Sequence, residues 1–323
     1  MASNVLLRVP RRRTWLLGAC AVGALAVTAP RVSVAPAAPT AAPGATTLDC
    51  GSLESAILGR AVSYCVDLPS DYASSSARYP TLYFLHGLFE DERSWADRGG
   101  KEILDGLLGQ GQLGKFIVVA PDAGKTFYVN SSDGKVRYED FFIQELVPAM
   151  DKKYRTLARR EMRAVSGTSM GGFGALHYGM RHPDVFSAAS AQSAALVPKF
   201  PDPWPTEGRW TFYARVLEGP FGSPLNEAYF DTQNPLELAQ HPETFAGLKL
   251  YFDVGDHDRY GFEEGNELLD KTLTAEKFPH TFALRPGGHG WNYLADYMKY
   301  DLEFHWQAFE SAASSGGKRG KSN

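Results

Sequence analysis

Ala164-Val-Ser-Gly-Thr-Ser-Met-Gly-Gly-Phe-Gly-Ala-Leu176 holds at its centre Gly167-Thr168-Ser169-Met170-Gly171. A strand-like run, Met162 to Val165, leads into it, and a helix-like run, Phe173 to Arg181, leads out. A serine at a sharp strand-to-helix turn, with glycine two positions before and two after, is the pattern of a nucleophile elbow. The glycines leave room for the turn and for an approaching substrate. The helix N-terminus offers backbone N–H groups to a developing oxyanion. Ser169 is therefore the candidate nucleophile and the Met170 N–H a candidate oxyanion donor. Five residues of this kind arise often by chance, so their weight depends on the rest of the chain.

Working outward, apolar runs alternate with helical patterns. Strands are expected at Ala61 to Leu68, Thr81 to Leu85, Phe116 to Ala120, Phe186 to Ala191, Lys249 to Val254 and His280 to Leu284. Helices are expected at Lys101 to Leu108, Tyr138 to Tyr154, Tyr260 to Leu273 and Trp291 to Phe309. Continuous apolar strands between helices imply a mainly parallel, doubly wound sheet with helices on both faces, an α/β fold. Val197 to Phe245 interrupts the rhythm with eight prolines and the aromatics Trp204, Trp210, Phe212 and Tyr213. An insertion placed there reads as a partial cap over an apolar pocket.

An activated serine needs a base, and the base an orienting acid, in the chain order Ser, Asp or Glu, His for this type of elbow. Of the eight histidines, His86 precedes Ser169, His177 and His182 lie on its helix, His241 lies in the insertion and His257 adjoins the candidate acids. His280 begins a strand and His305 lies inside a helix. His289, in Arg285-Pro-Gly-Gly-His-Gly-Trp291, sits on a Gly-rich turn after the last strand and is the expected base. Asp253, Asp256 and Asp258 compete as the acid. Asp258 lies farthest along the loop and is preferred. Leu85-His86-Gly87-Leu88-Phe89 follows a buried strand where the second oxyanion donor belongs, which assigns the Leu88 N–H.

The N-terminus has the composition of an export signal. Arg11-Arg12-Arg13 precedes an apolar stretch from Trp15 to Ala29, about 15 residues against the ~20 that cross a bilayer. Arg12-Arg13-Thr14-Trp15-Leu16 resembles a twin-arginine signal. Secretion or a place in the cell envelope is expected, with membrane contact only if the leader is uncleaved. The leader's five arginines are its only charges, so without them the formal net charge goes from −4 to about −9. No basic face interleaved with aromatics suggests a nucleic-acid partner. No CxxC, HExxH or EF-hand pattern indicates a metal, and no cofactor is expected. Past the leader only Cys50 and Cys65 remain, flanking a turn-like Ile57-Leu58-Gly59-Arg60. A disulfide and two buried thiols both fit.

Gly167 to Leu176 together with Arg181-His-Pro-Asp-Val-Phe186 resembles the esterase D-like family of α/β-hydrolases. That group includes tributyrin-type esterases, feruloyl esterases, S-formylglutathione hydrolases and mycolyltransferases. Phe84-Leu-His-Gly-Leu88, Val119-Ala-Pro-Asp-Ala-Gly124, Phe221-Gly-Ser-Pro224 and Pro286 to Trp291 extend the likeness over Ala61 to Phe309. The resemblance implies Ser169, Asp258 and His289 as the triad, and its glycine-to-acid spacing separates Asp258 from Asp256. Pro121 to Tyr128 and Tyr138 to Phe141 look most like the tributyrin-type subgroup. The expected activity is a secreted serine carboxylesterase acting on short-chain, small-molecule or carbohydrate-linked esters. An envelope acyltransferase, a feruloyl or acetyl-xylan esterase and, least favoured, a non-catalytic binding protein are the rival readings. The expected organisation is a signal and Ala/Pro-rich linker over 1–45, a catalytic domain over 46–312 with 197–245 as the insertion, and a disordered tail over 313–323.

Overall fold

A computed structural model of the chain describes residues 45–201 and 207–319. The stretch expected to be an export signal, Trp204 and the last four residues lie outside them.

The strands are β1 (Thr47–Ser55), β2 (Arg60–Leu68), β3 (Thr81–Leu85), β4 (Ile117–Pro121), β5 (Arg163–Thr168), β6 (Ala188–Gln192), β7 (Lys249–Gly255) and β8 (Thr281–Arg285). The helices are α1 (Ser94–Asp97), α2 (Gly100–Gly109), α3 (Tyr138–Phe141), α4 (Val147–Lys153), α5 (Met170–Arg181), α6 (Arg209–Phe221), α7 (Glu227–Gln233), α8 (Pro235–Leu238), α9 (Phe262–Ala275) and α10 (Trp291–Arg319). A π-helical turn, Phe142–Leu146, joins α3 to α4, so the stretch expected as one regular helix carries a local widening.

All eight strands form one sheet in the order β1-β2-β4-β3-β5-β6-β7-β8. β3 to β8 pair in parallel, while β2 runs antiparallel to both β1 and β4. Alternate residues of each strand point to opposite faces. On β3, Leu82 and Phe84 join Trp95, Leu104 and Met298 in the layer of α2 and α10, whereas Tyr83 and Leu85 pack with Phe142, Phe173 and Tyr178 on the other face. Two covered faces explain why the central strands read as unbroken apolar runs.

The β1–β2 hairpin sets Cys50 opposite Cys65, and the two form a disulfide. Register decides between the two readings of this pair, because cross-strand partners are close enough to bond and residues one step off would face opposite ways.

The insertion segment folds into α6, α7 and α8. It buries Tyr213, Val216, Leu217, Phe221 and Phe230. Its polar ties to the rest of the domain include Tyr213 OH donating to Tyr260 O (2.7 Å), Tyr229 OH to Asn130 O (2.6 Å), Ser132 N to Pro220 O (2.8 Å), His177 Nδ1 to Gln233 O (2.8 Å) and Arg181 Nη1 to Thr232 O (3.4 Å).

At the C-terminus α10 continues to Arg319, where composition predicts disorder from residue 313. Extending an existing helix needs no new nucleus. The serines there also satisfy themselves locally, Ser311 Oγ donating to Gln307 O and Ser315 Oγ to Ser311 O, each at 2.8 Å. No helix among the described residues is long and apolar enough to cross a membrane.

Candidate active site

β5 delivers Ser169 in a conformation few L-residues adopt, φ 56° and ψ −116°. Such backbone costs on the order of 1–3 kcal/mol and persists only where neighbours hold it. Here they do: Ser169 N donates to Gln192 O, and Ser169 O accepts from Phe173 N and Ala195 N, all at 3.0 Å. The flanking glycines are dictated by contact. A Cβ on Gly171 would sit 1.9 Å from Leu85 O, and one on Gly167 would sit 2.2 Å from Gly171 O. The helix can therefore start directly beneath the oxyanion loop only with hydrogens at those positions.

That loop, which runs on from β3, is fixed through His86. Its Nε2 accepts from Ala123 N (2.9 Å), so the proton resides on Nδ1, which donates to Gly87 O (2.8 Å). His86 is thus engaged on both nitrogens in supporting the loop. Among the described residues neither Leu88 N–H nor Met170 N–H donates to a protein acceptor. These are the two donors assigned from sequence.

The candidate acid and base come from the loops that follow β7 and β8. Asp256 N donates to Arg285 O (2.8 Å) and His257 N to Gly287 O (2.9 Å), so the ladder between the two strands continues into their loops. Asp258 then turns inward. Its Oδ2 accepts from His289 Nδ1 at 2.7 Å and its Oδ1 from Tyr260 N at 2.9 Å. The Asp258 side chain is fully buried. Tyr260 and Phe262 set their rings edge-on to the imidazole, at 4.7 and 5.5 Å between centroids. With Nδ1 tied to a carboxylate, Nε2 is the ring nitrogen left for the cavity that His289 lines, the arrangement a general base needs. Asp256 spends its carboxylate on the ring of His257 (2.6 Å) and on Gly287 N (3.0 Å). Asp253 is buried in the strand and accepts from Tyr251 OH (2.5 Å) and Tyr293 OH (2.7 Å). Burial pushes its pKa up to about 6 against those hydrogen bonds.

Ser169, Leu88, Met170 and His289 all line one cavity of about 430 Å³. Among the described residues no hydrogen bond yet joins Ser169 Oγ to the imidazole; such bonds tighten when substrate binds. The cavity's inner wall is apolar: Phe127, Val216, Leu217 and Phe230 are all buried there.

Glu90 escaped the sequence reading. Glu90 accepts from Gly87 N (3.0 Å) through one oxygen and from Trp291 Nε1 (2.6 Å) through the other. It clamps the oxyanion loop to the loop carrying His289. The partners are 201 residues apart, and nothing local marks either. The remaining histidines are structural. His280 is held by Asp270 Oδ1 (3.0 Å) and Phe278 O (2.8 Å). His305 is buried against Ser190 Oγ (2.6 Å), its pKa lowered to about 3 by burial. His177 and His182 both meet Glu139.

Residues 55–304, more than half of the chain, match the protein family described as "Putative esterase". Esterase Rv1288 of Mycobacterium tuberculosis is 36% identical over 263 residues, 73% of this chain and 54% of that protein, so the chain spans about half the length of this curated relative. Among solved structures, a ferulic acid esterase superposes with a TM-score of 0.71 at 28% identity, covering 82% of this chain and all of the other. FphF, a fluorophosphonate-binding serine hydrolase of Staphylococcus aureus, shares the fold with a TM-score of 0.66 at 20% identity, covering 81% and 99%.

Proposed function

The chain belongs to this esterase family, and from that premise we propose that it is an exported serine carboxylesterase working through an acyl-enzyme. One observation carries the reading. His289, oriented by Asp258 at 2.7 Å, shares a cavity with Ser169 and with two backbone N–H groups that have no acceptor among the described residues.

In this reading His289 Nε2 takes the Ser169 proton as Oγ attacks the ester carbonyl. The oxyanion forms against Leu88 N–H and Met170 N–H, each donor contributing about 3 kcal/mol to the barrier reduction. Asp258 keeps the imidazole in the useful tautomer and stabilises its cation without taking the proton. Collapse expels the alcohol, which receives the proton from His289, and water repeats the sequence on the acyl-serine. The apolar inner wall accepts a short acyl chain. The aromatics Phe127 and Phe230 also suit a planar aryl acid, which favours a feruloyl-type ester as the second reading. The disulfide supports export to an oxidising compartment.

The test is hydrolysis of p-nitrophenyl esters from acetate to decanoate by the mature protein and Ser169→Ala. A fall of about 10³-fold or more in the variant is expected, with the best rates on short chains. A variant within tenfold of wild type would remove Ser169 from the mechanism. Faster turnover of feruloyl than of butyryl esters would select the second reading.

A further inference from the structure

The cavity has an apolar interior and a cationic mouth. Arg98 and Arg259 both line it, and both are exposed. Arg259 leans over the Tyr260 ring with its guanidinium carbon 4.9 Å from the centroid. Among the described residues neither guanidinium has a carboxylate partner. Phe89 lines the same mouth, 64% exposed, and Lys125 Nζ stands 4.8 Å over its ring. Among the described residues Glu90 is the one carboxylate in the lining; it accepts from Gly87 N and Trp291 Nε1, and no ion pair joins it to either arginine. Asp258, next to Arg259 in sequence, is committed to His289 and Tyr260 N.

This arrangement runs against the charge of the whole chain, which is formally −4. Two exposed guanidinium groups without an ion-pair partner among the described residues place positive charge on the rim of an otherwise acidic protein, at the entrance to the Ser169 cavity. Guanidinium presents a planar fork of donors that matches carboxylate and phosphate oxygens. Resting on the serine-esterase reading above, we infer that Arg98 and Arg259 form an anion subsite for the alcohol half of the substrate. The acyl chain enters the apolar interior toward Phe127, Leu217 and Phe230, and the alcohol stays at the mouth. The substrate class is an ester whose acyl part is apolar and whose alcohol carries a carboxylate or a phosphate. No group changes covalently at this subsite; it binds and orients.

The test uses three butyryl esters of matched shape: those of 4-hydroxybenzoate, 4-hydroxyphenyl phosphate and neutral methyl 4-hydroxybenzoate. The readout is the ratio of kcat/KM on each anionic ester to kcat/KM on the neutral one. It is measured for wild type, Arg98→Gln/Arg259→Gln and the control Arg93→Gln, an exposed arginine that pairs with Asp97 and does not line the cavity. The wild-type ratio is expected to exceed that of the double variant about tenfold at low salt, chiefly through KM. The gap should close at high salt, and Arg93→Gln should keep the wild-type ratio. Whichever anionic ester shows the larger gap identifies the head group. Equal ratios in wild type and double variant, or a gap indifferent to salt, overturn the subsite. No turnover of any ester by folded wild type instead overturns the serine-esterase reading, and the subsite with it.

Discussion

At the elbow, a methyl group on Gly171 would lie 1.9 Å from a backbone carbonyl, and one on Gly167 2.2 Å from another. On the insertion side of the same cavity, Tyr213, Val216 and Leu217 of α6 meet mostly other side chains, and the segment is tied down by a handful of long-range polar contacts. Backbone cannot be repacked, so the elbow tolerates one geometry. Side chains can be exchanged for others of similar volume, so the wall can change shape while the chemistry stands still. Reaction type and substrate choice therefore lie in different kinds of material.

The largest test of this contrast is Gly171→Ala. It should cost about 3 kcal/mol or more, because neither Leu85 nor His86 can move its carbonyl without disturbing β3 and the oxyanion loop. Urea unfolding measures it, and a loss below about 1 kcal/mol would show the elbow to be as forgiving as the wall.

A second test probes the layer on the far side of β5. Asp301 Oδ2 accepts from Ser166 Oγ at 2.9 Å, three residues before the nucleophile. Burial pushes its pKa up to about 7, against the hydrogen bonds from Ser190 and Ser166. Because the folded value lies above the unfolded one, the stabilisation is full at acidic pH and drains away as pH rises through about 7. Between pH 5 and pH 8 wild type should thus lose on the order of 2 kcal/mol relative to Asp301→Asn. Parallel unfolding curves at the two pH values check this; an unchanged difference would mean that Asp301 does not titrate differently in the two states.

The smallest effect belongs to the wall. Leu217→Ala should lengthen the preferred acyl chain and alter kcat/KM on any one ester by about tenfold. A rate collapse on every chain length would show that the wall also positions the catalytic groups.

What the residues disclosed in advance follows the same division. The elbow, the buried strands and the His289 turn are local patterns, and each was readable within about a dozen residues. Asp258 was harder, because its choice over Asp256 depends on the β7–β8 ladder running two residues past the strands before the loop turns in. The Glu90 clamp and the cationic mouth were not legible at all. They arise where loops from distant parts of the chain converge, and single exposed arginines carry no pattern. The hairpin left the cysteines open because alternation fixes which face a residue takes, while the register that pairs Cys50 with Cys65 comes from the turn. The last helix outran its expected end because propensity gave way to an already formed helix.

Residues Met170 to Met180 of α5 are all buried, so this helix has no solvent face along those eleven positions. Such a helix has no route to fraying or local opening; its amides can exchange with solvent only when the sheet itself comes apart. The segment that follows Ser169 thus belongs to the last cooperative unit expected to open. The α6 region, which meets mostly exchangeable side chains, can loosen earlier, so a partly heated molecule would lose the shape of its cavity wall before it loses the turn at Ser169.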